Sequence, residues 1–278
     1  AVPLATNLRF DDLILPTDLK DRLFDFAEDI NHRQQLWQNP EVSRLYSQER
    51  ALTALLQGPP GTGKTMAAKV IAGHLGMPIY RVDAASLTSK FIGETSKNMR
   101  AMFKAVNQSG VILFVDEFEA LASKRTESRN EIARSYNHDT AYFLQLIETA
   151  LDGVAIFATN RPMDIDTAMM RRIRKTFDFP PPQVTERRAL WHAAIAPFAP
   201  EPHLYEMSET LGEVFEFTGA RIKAVILNAF GQSVKTGTVL NAPELYKAAL
   251  AEAQINGRIP DKRALGQFAK YIQTEAET

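Results

Sequence analysis

Cysteine is missing from all 278 residues, which excludes disulfides, thiolate metal sites and thiol nucleophiles and accords with a reducing compartment. The five histidines, His32, His74, His138, His192 and His203, form no i,i+4 pair and no His-Glu-x-x-His, so a helical metalloprotease site is excluded too. Charge of one sign is not in excess: 32 Lys and Arg against 33 Asp and Glu leave −1, which gives no basic footprint for nucleic acid. The local cluster from Arg171 to Lys175 keeps that reading open. No charged-then-apolar leader opens the sequence and no apolar run reaches membrane-spanning length, so the expected location is the cytoplasm. Repeats and low-complexity tracts are absent as well. What is present, 45% hydrophobic and 23% charged residues, suits a globular enzyme with a real core, as one large domain or one plus a smaller one.

Gly58-Pro59-Pro60-Gly61-Thr62-Gly63-Lys64-Thr65 fulfils G-x-x-x-x-G-K-[ST]. It follows Ala51 to Leu56, an apolar segment of buried-strand length, and precedes Met66 to Ala72, whose apolar residues recur at helical spacing. Strand, glycine loop and helix is the order a phosphate cradle needs. Glycines let backbone N–H groups turn toward phosphates, and the helix N-terminus adds partial positive charge. Lys64 is placed to reach β- and γ-phosphates and Thr65 to take a Mg²⁺ position, with Gly58 through Met66 forming the binding loop.

A second apolar run, Val111 to Val115, ends in Asp116-Glu117. Unbroken apolar strands belong to parallel sheets covered on both faces, and ligands bind at the carboxyl ends of such strands. Asp116 there suits Mg²⁺, usually through water, and Glu117 suits polarising an attacking water. A third strand leads through Ile156 to Thr159 into Asn160, whose amide could orient that water.

The pattern alternates over candidate strands at 52–57, 78–82, 111–115, 153–158 and 175–179 and helices at 63–75, 95–108 and 131–150. This predicts an α/β fold: a doubly wound, parallel five-stranded sheet with helices on both faces. An amphipathic helix from Pro16-Thr17-Asp18 to about Asn31 precedes it. After Pro180-Pro181-Pro182 the pattern is purely helical, at 185–195, 204–214, 219–234, 242–255 and 261–275.

In order and spacing these features resemble the AAA+ ATPases, and more narrowly their AAA branch, from about residue 8 to about 256. The resemblance implies an N-terminal arm at 1–10, a large ATPase domain at 11–182, a helical lid at 183–256 and a C-terminal helix at 257–278. It makes Gly58–Thr65 the Walker A loop, Val111–Glu117 the Walker B strand and Asn160 the sensor-1 residue. Ala168-Met169-Met170-Arg171-Arg172 lies where such proteins carry arginine fingers for the neighbouring subunit, so Arg171 and Arg172 are the candidates and Arg174 the fallback; the common R-P-G-R form is not kept. Gly219-Ala220-Arg221 is similar to a sensor-2 motif, with Arg221 toward the γ-phosphate in cis, against the plainer reading of a solvated first-turn residue.

Ser89-Lys90-Phe91-Ile92-Gly93-Glu94 resembles pore loop 1, whose aromatic, aliphatic and glycine residues line the channel of translocating rings. Lys90, Phe91, Ile92 and Gly93 would then grip an extended chain, an aromatic offering large apolar area with little rotamer entropy to lose; a buried loop anchor is the alternative. The implied function is ATP hydrolysis with Mg²⁺ by a homo-oligomeric ring, a hexamer, that unfolds, disassembles or remodels a protein client. A partner or adaptor, such as a HORMA-domain protein, is expected to supply specificity. A nucleic-acid-directed loader, an ATP-gated scaffold and a small-molecule P-loop kinase are the rival readings.

Overall fold

The three most apolar runs become the interior of one sheet, and their composition explains why. The computed structural model describes residues 1–36, 38–45, 51–84, 94–122, 141–143, 145–147, 149, 151, 153–198 and 202–273. Its strands are β1 (Val2–Leu4), β2 (Leu52–Gln57), β3 (Ile79–Asp83), β4 (Ile112–Asp116), β5 (Val154–Thr159) and β6 (Lys175–Asp178), in the order β1-β3-β4-β5-β2-β6. Strands β2, β4 and β5 are buried along almost their whole length, as apolar residues on both faces demand, whereas β3 keeps Tyr80, Arg81 and Asp83 exposed. The five expected strands pair in parallel. The residues expected to be only an arm add a sixth, β1, antiparallel to β3 with Pro3 opposite Tyr80. Three residues carry no period of their own, so that strand exists only through its pairing with β3.

Residues Ala1–Leu13, Thr17–Pro59 and Lys64–Phe179 make one unit, and Ile14–Pro16, Pro60–Gly63 and Pro180–Thr278 a second. In the first unit the sheet is accompanied by α1 (Thr17–Leu36), α2 (Pro40–Leu45), α3 (Lys64–Leu75), α4 (Glu94–Ser109), α5 (Glu119–Ala122) and α6 (Thr167–Met170). Helix α4 presents Met99, Phe103 and Val106, at i, i+4 and i+7, to Leu113, Val115 and Phe157, and Gly110 in the left-handed region (φ 58°) ends it. Each such side chain contributes roughly 1.5–3 kcal/mol on burial. Helix α1 buries Leu19, Leu23, Phe26 and Ile30 and sets Phe26 against Phe177 of β6, ring centroids 5.6 Å apart. Of the helix expected at 131–150, the stretches 141–143 and 145–147 are helical and residues 131–140 lie outside the described ones.

The second unit contains α7 (Val184–Ile195), α8 (Pro202–Val214), α9 (Gly219–Thr236), α10 (Ala242–Ile255), α11 (Lys262–Gly266) and α12 (Ala269–Gln273) around Trp191, Met207, Leu211, Phe215, Val225 and Leu245. Its ends are chemically marked. Glu186 accepts from the Gln183 N–H at 2.8 Å, Asn241 caps α10 through the Glu244 N–H at 3.0 Å, and Gly237 (φ 72°) closes α9. Helices α7 and α8 approach so closely at Gly212 that a Cβ there would sit 2.7 Å from the Arg188 nitrogen. Buried Arg187 locks the same contact, its Nε donating to the Gly212 carbonyl at 2.8 Å and Nη1 to Pro182 at 3.0 Å. The single helix expected over 261–275 is instead α11 and α12, parted by a turn that buries Phe268 completely against Phe215 and Tyr246. Gly266, a weak helix former, sits at the break, and core packing outweighs continuation of the helix.

Candidate nucleotide-binding site

The glycine loop leaves β2 at a place where only glycine fits. Gly58 has φ 144°, its N–H donates to the Thr159 carbonyl at 3.3 Å, and a Cβ would fall 2.2 Å from the Phe179 carbonyl oxygen. Pairing of Gln57 with Thr159 and with Asp178 therefore brings the carboxyl ends of β2, β5 and β6 together. Because β2 lies between β5 and β6, the strand order reverses here, and the crevice at such a reversal is where open α/β sheets bind ligands.

Lys64 opens α3 and is only 7% exposed. Its Nζ donates to the carbonyls of Gly58 and Pro59, both at 2.7 Å, so the ammonium lies across its own loop. Burial lowers its pKa below the usual lysine value, and the carboxylates of Asp116 and Glu119 pull the other way. Thr62 is buried, and Thr65 and Met66 are half-buried at the start of the same helix. Within the second unit, Gly61 of the loop tip accepts a hydrogen bond from the Ala220 N–H at 3.3 Å.

At the end of β4, Asp116 Oδ1 accepts the Glu117 N–H at 3.1 Å and Oδ2 meets Arg81 Nη2 at 2.8 Å. Glu117 has φ 52°, alone among the described non-glycine residues in being positive. Such backbone costs about 1–3 kcal/mol and persists only where the surroundings over-determine it. Phe118 supplies that: fully buried, it stacks on Phe157 at 4.3 Å and its N–H donates to Ala158 at 2.9 Å, so the chain must turn sharply and leave Glu117 exposed. Asn160 is exposed one residue past β5, beside the Asp116 end of β4 in the sheet order.

The arginines of the cationic cluster separate. Arg171 is exposed after α6, whereas Arg172 is half-buried with Nη1 on the Ala168 carbonyl at 2.8 Å and its own carbonyl held by Thr53 Oγ1 at 2.8 Å. Arg174 is exposed, its N–H on Thr53 Oγ1 at 3.1 Å. In the second unit Arg221 pairs with Glu252 at 3.0 Å. Lys90, Phe91, Ile92 and Gly93 lie outside the described residues.

Two residues of the site escape sequence reasoning. Arg81 sits on a strand whose neighbour cannot be named without the register, and Glu119 follows an acidic pair that draws the eye first. Glu119 Oε2 is buried with no hydrogen-bond partner among the described residues. The excess of acidic side chains after β4 was the available signal for Glu119; none existed for Arg81.

The model of the ATPase family associated with various cellular activities (AAA) matches residues 54–181, which include the glycine loop, the β4 carboxylates and Asn160. Proteasome-activating nucleotidase of Aeropyrum pernix is 29% identical over 269 residues, covering 87% of this chain and 65% of that protein. Residues 54–181 form an AAA ATPase domain. ATPase family gene 2 protein of Schizosaccharomyces pombe is 30% identical over 205 residues, 72% of this chain and 25% of its own. Human fidgetin-like protein 1 is 37% identical over 139 residues, 49% of this chain and 21% of its own. The chain thus spans from 21% to 65% of the length of these relatives. That domain carries nucleotide binding with it. Among the described residues, no helix is long and apolar enough to cross a membrane.

Proposed function

We propose that the chain binds Mg²⁺–ATP on the Gly58–Thr65 loop and hydrolyses it in a homo-oligomeric ring, a hexamer, to remodel a protein client. One observation carries the reading: a buried lysine folded into a glycine loop, with an aspartate and a strained glutamate at the end of β4, two strands over from β2 in the same sheet. The donor set suits the group. Asp116 and Thr65 offer hard oxygens, Glu119 Oε2 is an orphaned buried oxygen close enough to act on Lys64, and Mg²⁺ asks of a protein only one or two ligands beside phosphate. When bound, Mg²⁺–ATP supplies a phosphoanhydride whose charge is partly neutralised.

Lys64 exchanges its two loop carbonyls for phosphate oxygens. Glu117 takes the proton from the attacking water, for which exposure and a carboxylate free of local ion pairs among the described residues suit it. Asn160 holds that water by its amide. Arg171, exposed where Arg172 is tethered, is the residue offered to the next subunit. Arg221 serves as the lid cation once it leaves Glu252, and Phe91 with Lys90, Ile92 and Gly93 contacts the client. A relative named for proteasome activation favours a protein client over nucleic acid, as does near-neutral charge; specificity comes from a partner protein.

The test is Glu117→Gln beside Lys64→Ala, followed by phosphate release and fluorescent-nucleotide binding. Glu117→Gln is expected to bind ATP as before and lose roughly 10²-fold or more in kcat, while Lys64→Ala loses nucleotide affinity. Near-wild-type turnover of Glu117→Gln would overturn the assignment of the base.

A further inference from the structure

Three charged residues share one face at the carboxyl end of β3 and β4. Asp83 stands directly opposite Asp116, and Arg81 is opposite Phe114, one diagonal step from Asp116. Carboxylates directly opposite repel, while a diagonal neighbour lies within reach of a long side chain. Arg81 uses that reach, with Nη2 2.8 Å from Asp116 Oδ2, and the Glu117 N–H occupies Oδ1. Both oxygens of the carboxylate assigned to Mg²⁺ therefore already hold donors. Only one of them is a cation in direct contact, because Lys64 Nζ is held on the carbonyls of Gly58 and Pro59. The Asp116 side chain is 18% exposed and that of Arg81 47%, so the carboxylate is sheltered while the arginine has open solvent to move into.

We propose that Arg81 is the resident counter-ion of Asp116, displaced when Mg²⁺ binds with nucleotide, and that it thereby sets the divalent-cation requirement of the site. The inference rests on the Mg²⁺–nucleotide reading above. A guanidinium and a dication compete for the same lone pairs, and even where water separates metal from carboxylate the fixed positive charge opposes the incoming one. With Arg81 in place the metal-free aspartate is not left as an uncompensated, sheltered charge beside Asp83. The competing role is purely structural, neutralising the Asp83–Asp116 repulsion without bearing on metal.

The experiment uses the full chain with saturating ADP and Mn²⁺ as the probe, free Mn²⁺ being read by EPR. Arg81→Gln is expected to tighten Mn²⁺ binding about two- to fivefold, the range for a partly exposed ion pair, while ADP affinity in EDTA stays level. Arg81→Lys, which keeps the charge, should lie closer to the wild type than to Arg81→Gln. Unchanged or weaker Mn²⁺ affinity in folded Arg81→Gln overturns the proposal, and a lowered melting temperature with unchanged Mn²⁺ affinity assigns Arg81 the structural role instead. Should Arg81→Gln not fold, ¹⁵N-guanidinium spectra of the wild type decide: the Arg81 signal is expected to move with Mg²⁺–ADP and not with ADP in EDTA, and equal response to both, or to neither, overturns the proposal. A wild-type chain that binds no ADP sinks the nucleotide reading and this inference together, whereas ADP binding with Mn²⁺ affinity indifferent to Arg81 sinks this inference alone.

Discussion

Lys64 carries a cost that pH can reveal. Its folded pKa lies below the usual lysine value of 10.5, burial being the larger cause, so between that depressed pKa and 10.5 the unfolded chain binds more protons than the folded one. Stability contributed at this position therefore rises with pH through that window and is lowest below it, where both states are charged. Lys64→Met has no such slope. The difference in stability between wild type and Lys64→Met, followed by chemical denaturation from pH 7 to 10.5, is expected to move in favour of the wild type as pH climbs. A difference independent of pH would mean that the two loop carbonyls solvate the ammonium as well as water does. At Glu117 the same logic applies to backbone: its left-handed conformation is held by Phe118, so the strain belongs to the neighbour's burial and not to the side chain proposed as the base.

Among the elements, the α7–α8 pair has the least room. Gly212→Ala places a methyl 2.7 Å from the Arg188 nitrogen and 2.8 Å from its Cα, backbone atoms that cannot swing aside. The helices must part, and the Arg187 bond to the Gly212 carbonyl is loosened with them. Overpacking of this kind costs about 1–3 kcal/mol. A lowered thermal midpoint of Gly212→Ala is the expected outcome, beside a Gly231→Ala control on α9, where a Cβ would meet nothing within 4 Å and the better helix former should hold or raise the midpoint. A raised midpoint in both variants would mean that helix propensity and not packing decides position 212.

For the whole molecule, the proposed sharing of the active site between subunits makes turnover depend on assembly. Arg171→Ala should suppress ATP hydrolysis without weakening ATP binding, because a finger acts on charge that develops in the transition state. Arg172→Ala, whose guanidinium is already bonded to Ala168, should fall less far. Mixing Arg171→Ala with Glu117→Gln chains restores some activity if base and finger come from different subunits, since some interfaces then pair an intact base with an intact finger. The check is steady-state phosphate release on rings shown to be mixed by differential mass labelling, and no recovery there would count against a site shared between subunits.

Local pattern was enough to determine the parallel strands, the helix that follows the glycine loop, and the places of Lys64, Asp116 and Asn160 at element ends. Unbroken apolar runs, helical spacing and glycine spacing all act within a dozen residues, so they are legible without a partner. The helix seen as one stretch at 261–275 was legible in type and not in extent, because its break at Gly266 to Phe268 answers to a core built from Phe215 and Tyr246, far away along the chain. The same holds for β1, which has no pattern until β3 lies beside it. Arg171 and Arg172 are equivalent as letters, and only the fold bonds one to Ala168 and leaves the other exposed. Arg81 stands 35 positions before Asp116 in sequence and 2.8 Å from it in space. What sets that contact is the register of two strands, a product of the whole sheet's burial that no single segment encodes.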